Sequence, residues 1–263
     1  MPLHSENPFE QWFGALERRQ LSHLTFSEVR RALTALSSIY VERRGRLATG
    51  AALEGNGKRA AFALFYGPIH YLATQGIVRG LGLASAPPHR IQDLGCGTGV
   101  AGAAWAMEYE GRPEIIGVDQ SGWAVTEARW TYATLNLRGR ARRGTLERLE
   151  PARVNDAVLA AFTVNELGSQ SRDRLLGGLL EAARKGSAIL VVEPIARRGF
   201  PWWKEWAEAF HSLGGRMDEW RFPANLPGTL QLLSKASGMD HREIKAKSLW
   251  IPGSTSERST PKS

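Results

Sequence analysis

Asp93-Leu94-Gly95-Cys96-Gly97-Thr98-Gly99 sets a carboxylate among closely spaced glycines, which lets a chain bring both charge and bare backbone against a nucleotide. An apolar start at Ile91 leads in and Val100 to Ala106 leads out, so a strand is expected to end in a glycine-rich turn that opens a helix. Gly97-x-Gly99-x-x-Gly102 also fits the spacing of dinucleotide-binding folds, and spacing alone does not choose between ligands. Charge does. Asp93 at the strand end would repel a pyrophosphate, whereas S-adenosylmethionine has no phosphate and carries a sulfonium and an ammonium group that Asp93 attracts. Further on, Glu114-Ile115-Ile116-Gly117-Val118-Asp119 reads as a second strand ending in a carboxylate placed to accept both ribose hydroxyls of an adenosine. Either cofactor would use Asp119, and only Asp93 discriminates.

Other residues could act on an acceptor. Asn165 and Glu166 follow the fourth expected strand, on the side where ligands of open α/β sheets lie; a helix cap and a solvated carboxylate are their alternative roles. Glu193-Pro194 ends the fifth, with Arg197-Arg198 close behind. His70, in a bent N-terminal helix, could cover the cofactor or act as a base, or be a structural histidine. Trp202, Trp203 and Trp206 could stack on bases, although helical spacing suits a core. Arg138-Gly139-Arg140-Ala141-Arg142-Arg143 could meet phosphates or protect a sheet edge. The histidines lack ligand spacing, so no metal is implied.

From about Pro88 to Ile251 the chain resembles the class I S-adenosylmethionine-dependent methyltransferases, because D-L-G-C-G-T-G followed by a strand-end Asp is close to that superfamily's signature. The resemblance implies that Asp93, Gly95, Cys96, Gly97 and Gly99 hold the methionine part, Asp119 the ribose, and Gln120 and Thr145 the adenine. Methyl transfer from a sulfonium is an in-line displacement, so few catalytic residues are needed beyond those that align the reactants. Enzymes that methylate exocyclic nitrogens often carry an Asn/Asp-Pro-Pro-aromatic box at the place of Asn165, and it is absent here.

The elements that must position these residues follow from the surrounding pattern. Thr25-Phe26-Ser27-Glu28 has capping-box form ahead of Val29, Leu33, Leu36 and Tyr40 at helical spacing, and Arg59 to Val78 reads as a helix bent at Gly67-Pro68. Residues 48–58 are expected to be a loop. Strands are expected at 91–94, 115–119, 141–146, 157–163 and 188–193, near Trp220, and at 242–250. Helices are expected at 100–109, 122–135, 172–184 with Ser171 as N-cap, from 201 to 213, and at 226–236. The expected fold is a Rossmann-like, seven-stranded, mostly parallel sheet with helices on both faces. The expected domains are an N-terminal helical cap at 1–87, the methyltransferase domain at 88–252 and a disordered tail at 253–263.

The 263 residues are 43% hydrophobic, enough for one α/β domain with an accessory segment. One cysteine excludes disulfides, no apolar run is long enough to span a membrane, and Met1 to Glu6 lacks the pattern of a signal peptide, so a soluble, cytoplasmic protein is expected. A net charge of +8 leans toward polyanionic partners. Further segments are similar to the methyltransferase-like family that assists assembly of the mitochondrial small ribosomal subunit and to its bacterial relatives. They are Tyr40 to Arg44, Phe65-Tyr66-Gly67-Pro68, Asn165-Glu166-Leu167 with Arg172 to Leu176 after it, and Val191 to Pro194 with Gly199-Phe200. The mitochondrial members carry an iron–sulfur cluster on cysteines that this chain lacks. The resemblance implies an RNA or ribosomal acceptor. A small-molecule acceptor, and an assembly factor that binds S-adenosylmethionine or RNA without turnover, are the alternatives.

Overall fold

The computed structural model describes residues 7–42, 53–83, 87–146, 150–151, 153–195, 200–238 and 242–254. It opens with α1 (Pro8–Gln20), a helix absent from the expected elements although its signals are local. Asn7 caps it by accepting from the Phe9 N–H at 3.1 Å, Pro8 stands in the first turn, and Phe9, Trp12, Phe13 and Leu16 form a buried stripe. α2 (Phe26–Glu42) carries the expected capping box: the Thr25 hydroxyl accepts from the Glu28 N–H, and Glu28 accepts from the Thr25 N–H at 2.7 Å.

The bend at Gly67-Pro68 takes a specific form. α3 (Asn56–Ala61) passes into a π-helical turn (Phe62–Tyr66) and then into α4 (Gly67–Gly80), with the Gly67 N–H bonded to the Phe62 carbonyl. Pro68 has no N–H to continue the regular ladder, and the wider turn absorbs the mismatch. It also carries Phe62, Phe65 and Tyr66 toward the carboxyl ends of the strands.

The sheet has seven strands in the order β3-β2-β1-β4-β5-β7-β6. They are β1 (Arg90–Leu94), β2 (Glu114–Asp119), β3 (Gly139–Arg143), β4 (Ala157–Ala161), β5 (Ala188–Pro194), β6 (Arg216–Pro223) and β7 (Glu243–Ile251). β1 to β5 run parallel, and β7 is antiparallel to both its neighbours. The helices α5 (Val100–Ala106), α6 (Gly122–Thr134), α7 (Ser169–Arg184), α8 (Trp203–His211) and α9 (Gly228–Ala236) complete the chain. Apolar residues divide into two clusters, one joining the N-terminal helices with α5, α6 and α9, the other joining α7 and α8. This is the Rossmann-like, mostly parallel fold, with helices on both faces.

Several boundaries move for identifiable reasons. β4 stops at Ala161 because Phe162 takes φ 58°, a left-handed conformation that ends the strand. β3 begins at Gly139, paired with Ile115, so Arg140 and Arg142 are strand residues. α7 starts at Ser169 behind an extended Gly168, and Ser171 is therefore inside the helix, not its cap. Trp202, Trp203 and Trp206 are buried between α8 and the sheet, which removes them as a base-stacking surface. The tail from Thr255 onward and residues 48–52 of the expected loop lie outside the described residues.

Candidate cofactor and acceptor site

A cavity of about 870 Å3 opens at the carboxyl ends of β1, β2, β4 and β5, roofed by the turn at Phe62–Tyr66, by α4 and by Ser37 of α2. One end is built by the turn after β1. Asp93 is buried; its Oδ2 accepts from the Gly102 N–H at 3.1 Å, and its Oδ1 has no partner among the described residues. Burial pushes the Asp93 carboxyl up to about 7, with the Asp119 charge adding to the shift and the Gly102 bond opposing it. A side chain on Gly102 would press a Cβ to 2.6 Å from Asp93, so this glycine is a condition of that bond. Gly97, at φ 51°, has nothing within 4 Å of where a Cβ would stand, which leaves bare backbone facing open space.

Asp119 ends β2 and ties this turn down. Its Oδ2 accepts from the Gly97 N–H at 3.0 Å and its Oδ1 from the Ser121 N–H at 2.8 Å, while burial raises its pKa against those bonds. Each oxygen retains a lone pair for a further donor. Gln120 and Cys96 line the same end; the Cys96 thiol is buried and pushed up by burial and by Asp93 and Asp119, so it stays protonated. Gly99 is the left-handed N-cap of α5 and packs against Ala128 and Tyr132. Thr145 is exposed, and the neighbouring Leu146 lines the cavity.

At the other end Phe162, Asn165 and Glu166 come from the chain after β4, Glu193 from β5, and Tyr66 and His70 from the N-terminal helices. His70 stacks on Phe162, ring centroids 3.8 Å apart and planes at 6°. Burial lowers the His70 pKa to about 3, so its imidazole is neutral near pH 7 and a weak base. Burial raises Tyr66 to about 12, keeping its hydroxyl protonated. Glu166 is raised to about 7 by burial and then by the Asp119 charge, which poises it between acid and carboxylate at neutral pH. The fold thus gathers Asp93, the glycine turn, Asp119, Gln120, His70, Asn165 and Glu166 around one cavity. Trp123 and Phe62, not singled out by the sequence pattern, join it edge to face at 6.1 Å. Trp123 could have been found, because it follows the strand-end Asp119 at the start of a helix.

Residues 91–186 match the family model of the methyltransferase domain. That segment contains the glycine turn, Asp119 and the turn carrying Glu166, and its cofactor is S-adenosylmethionine. The methyltransferase domain fits that cofactor: an unpartnered buried oxygen on Asp93, open space over Gly97 and spare acceptor capacity on Asp119 all face one end of the cavity. Among solved structures, a candidate O-methyltransferase from Nostoc punctiforme is similar over 84% of this chain and 72% of its own, with a TM-score of 0.52 and 14% identity. That likeness is one of fold. An S-adenosylmethionine-dependent methyltransferase from Aquifex aeolicus has a TM-score of 0.47 and 13% identity over 69% of this chain and 90% of its own. A candidate RNA methyltransferase from Pyrococcus horikoshii has a TM-score of 0.45 and 16% identity over 72% and 86%. No curated protein matches the chain.

Proposed function

We propose that the chain is an S-adenosylmethionine-dependent methyltransferase whose acceptor is RNA. The observation that carries this reading is a set of cations at the rim of the cavity. Arg59 donates to the Leu53 carbonyl at 3.1 Å and lies over Trp123, Arg143 donates to the Gln120 carbonyl at 3.2 Å, and Arg172 donates to the Leu167 carbonyl; Leu53, Trp123, Gln120 and Leu167 all line the cavity. Among the described residues none of these three arginines forms an ion pair, so their charge is available to phosphates. Lys245 also lines the cavity, although Glu243 pairs with it at 3.3 Å. The looser likeness to the small-subunit assembly family and the net charge of +8 lean the same way.

The arginine run after α6 contributes less than its density suggests. Arg140 pairs with Glu114 at 2.9 Å and Arg142 faces Glu150 at 3.7 Å. Of the run, Arg143 alone among the described residues bonds through its side chain to a residue that lines the cavity, Gln120.

When bound at the Asp93 and Asp119 end, the cofactor supplies an electrophilic methyl group. The chain's part is to seat a base out of its stack against the His70–Phe162 face, to exclude water with Phe62 and Tyr66, and to receive a proton at the Glu166 carboxylate. A small-molecule acceptor is the second reading, favoured by the roof that α2 and the turn at Phe62–Tyr66 place over the cavity. Incubation with methyl-labelled S-adenosylmethionine and fractionated RNA, protein and metabolites decides between them. Label in RNA is expected; label confined to metabolites makes the second reading correct, and RNA binding without any label points to an assembly factor.

A further inference from the structure

Glu193 is a buried carboxyl for which neither the sheet nor the cofactor end accounts. It is 1% exposed and lines the cavity; its Oε1 accepts from the Asn165 N–H at 3.1 Å, and its Oε2 is buried with no partner among the described residues. That N–H belongs to the short 3-10 turn (Val164–Glu166), and the backbone N–H groups of Asn165 and Val164 hold Glu193 under the turn that presents Glu166. Across the sheet Glu193 stands opposite Lys247, but the Lys247 ammonium lies 4.0 Å from the centroid of Trp203 and 4.7 Å from that of Phe200. No ion pair joins Lys247 to Glu193 among the described residues.

We propose that Glu193 and Glu166 form a carboxyl pair that holds one proton at the acceptor end of the cavity, with Glu193 the positioning residue and Glu166 the group that meets the acceptor. This rests on the RNA reading above, and it specifies the acceptor as a ring nitrogen that arrives bearing its proton. A buried and a half-buried carboxyl facing one cavity cannot both ionise without cost, and a bare buried oxygen is costly unless it carries or receives a proton. The charged groups around the pair agree. Burial lifts Glu193 to about 8, with the Asn165 bond opposing, Glu166 raising it further, and the Val164 bond and Lys247 opposing, while Asp119 acts on Glu166 and Glu219 on Lys247. Of the two, Glu193 holds its proton more firmly, and Glu166, poised near neutrality, supplies the carboxylate.

Such a carboxylate suits an acceptor that must lose a proton as it gains a methyl. The N–H bond breaks toward Glu166, which takes the proton; the pair left on nitrogen bonds the methyl carbon, and that carbon's former bonding pair stays on sulfur. The flat His70–Phe162 face suits a ring, and the box used for exocyclic amines is missing at Asn165.

Infrared spectra of the ligand-free full chain, followed from about pH 5 to about pH 10, report each protonated carboxyl directly. Glu193→Gln is expected to remove the band that titrates last and leave the Glu166 midpoint nearly in place, because Glu193 is neutral while Glu166 titrates, whereas Glu166→Gln is expected to lower the Glu193 midpoint by about one pH unit. An unchanged Glu193 midpoint in Glu166→Gln overturns the pair. If Glu193→Gln does not fold, the half-buried Glu166 supplies the same comparison through Glu166→Gln. RNA labelled by the wild-type enzyme is then digested to nucleosides: methyl on a ring nitrogen supports the acceptor assignment, and methyl on a ribose oxygen or exocyclic amine overturns it. Coupled carboxyls with no label in any RNA overturn the RNA reading and the ring-nitrogen assignment while leaving the pair standing.

Discussion

His70 and Phe162 stack at 3.8 Å between ring centroids, which joins the N-terminal helices to the strand end that carries Asn165 and Glu166. Phe162 makes this contact from φ 58°, a conformation costing a residue with a side chain about 1–2 kcal/mol. The stack holds the roof of the cavity over its floor, at the expense of local strain.

Phe162→Gly and Phe162→Ala both delete the ring, but only glycine relaxes the left-handed backbone. Phe162→Gly is therefore expected to be more stable than Phe162→Ala by about 1 kcal/mol, the reverse of the order at an ordinary strand or helix position. Urea unfolding of the two variants measures it. If alanine is the more stable, the strain assigned to Phe162 is wrong.

Cofactor affinity is expected to rise as pH passes through about 7, because Asp93 attracts a sulfonium and an ammonium only when ionised and its carboxyl is held up to about 7. Calorimetric titration with S-adenosylmethionine across that range should show tightening in the wild type and a flat profile in Asp93→Asn. Asp119→Ala should weaken binding by about tenfold or more, at about 1.5–3 kcal/mol for a hydrogen bond to a charged group. It should also lower the melting temperature, since Asp119 accepts from the Gly97 and Ser121 N–H groups. Equal affinities would remove Asp119 from the site.

Stability should fall as pH rises above the ordinary carboxyl range. Glu193, Glu166 and Asp93 have folded values of about 8, 7 and 7 against ordinary values of 4.5, 4.5 and 3.8, so the folded chain holds protons that the unfolded chain has released. Their stabilising effect is complete below the unfolded values and is lost as pH climbs through the folded ones. Unfolding free energy is expected to drop by more than about 1.4 kcal/mol between about pH 5 and about pH 8.5, the worth of one tenfold change in proton affinity. Glu193→Gln should flatten that slope, and an unaltered slope would place the Glu193 proton elsewhere.

RNA affinity should respond to the rim and not to the edge strand. Replacing Arg59, Arg143 and Arg172 by glutamine is expected to reduce the slope of log affinity against log salt by about 2, at about 0.7 per phosphate on a single strand. The control, Arg140 and Arg142 to glutamine, should leave the slope nearly unchanged because carboxylates already face those side chains. Fluorescence anisotropy with a structured ribosomal RNA fragment reads both. A larger effect from the control set would return the binding surface to the arginine run.

The sequence alone determined the parts whose signals are local. Asp93, the glycine turn and Asp119 are legible because a strand end, a tight turn and a helix start follow one another within a short stretch, and each demands particular residue types. Strand count and fold class were equally legible, since alternating apolar runs and capped helices impose a parallel sheet. Even α1, left out of the expected elements, carried its own cap and stripe. Tertiary structure decided what depends on meetings between distant segments. Glu193 becomes a cavity carboxyl tied to the turn of Glu166 because the Asn165 N–H reaches it from another strand end, and His70 loses its basicity because folding buries it against Phe162. Arg140 and Arg142 are committed to ion pairs because pairing with β2 brings Glu114 beside them and Glu150 returns to the same edge, whereas Arg143 stays at the cavity rim. Residue type sets what a side chain can do, but burial and neighbours set its charge and partners, and those arise only when the chain closes on itself.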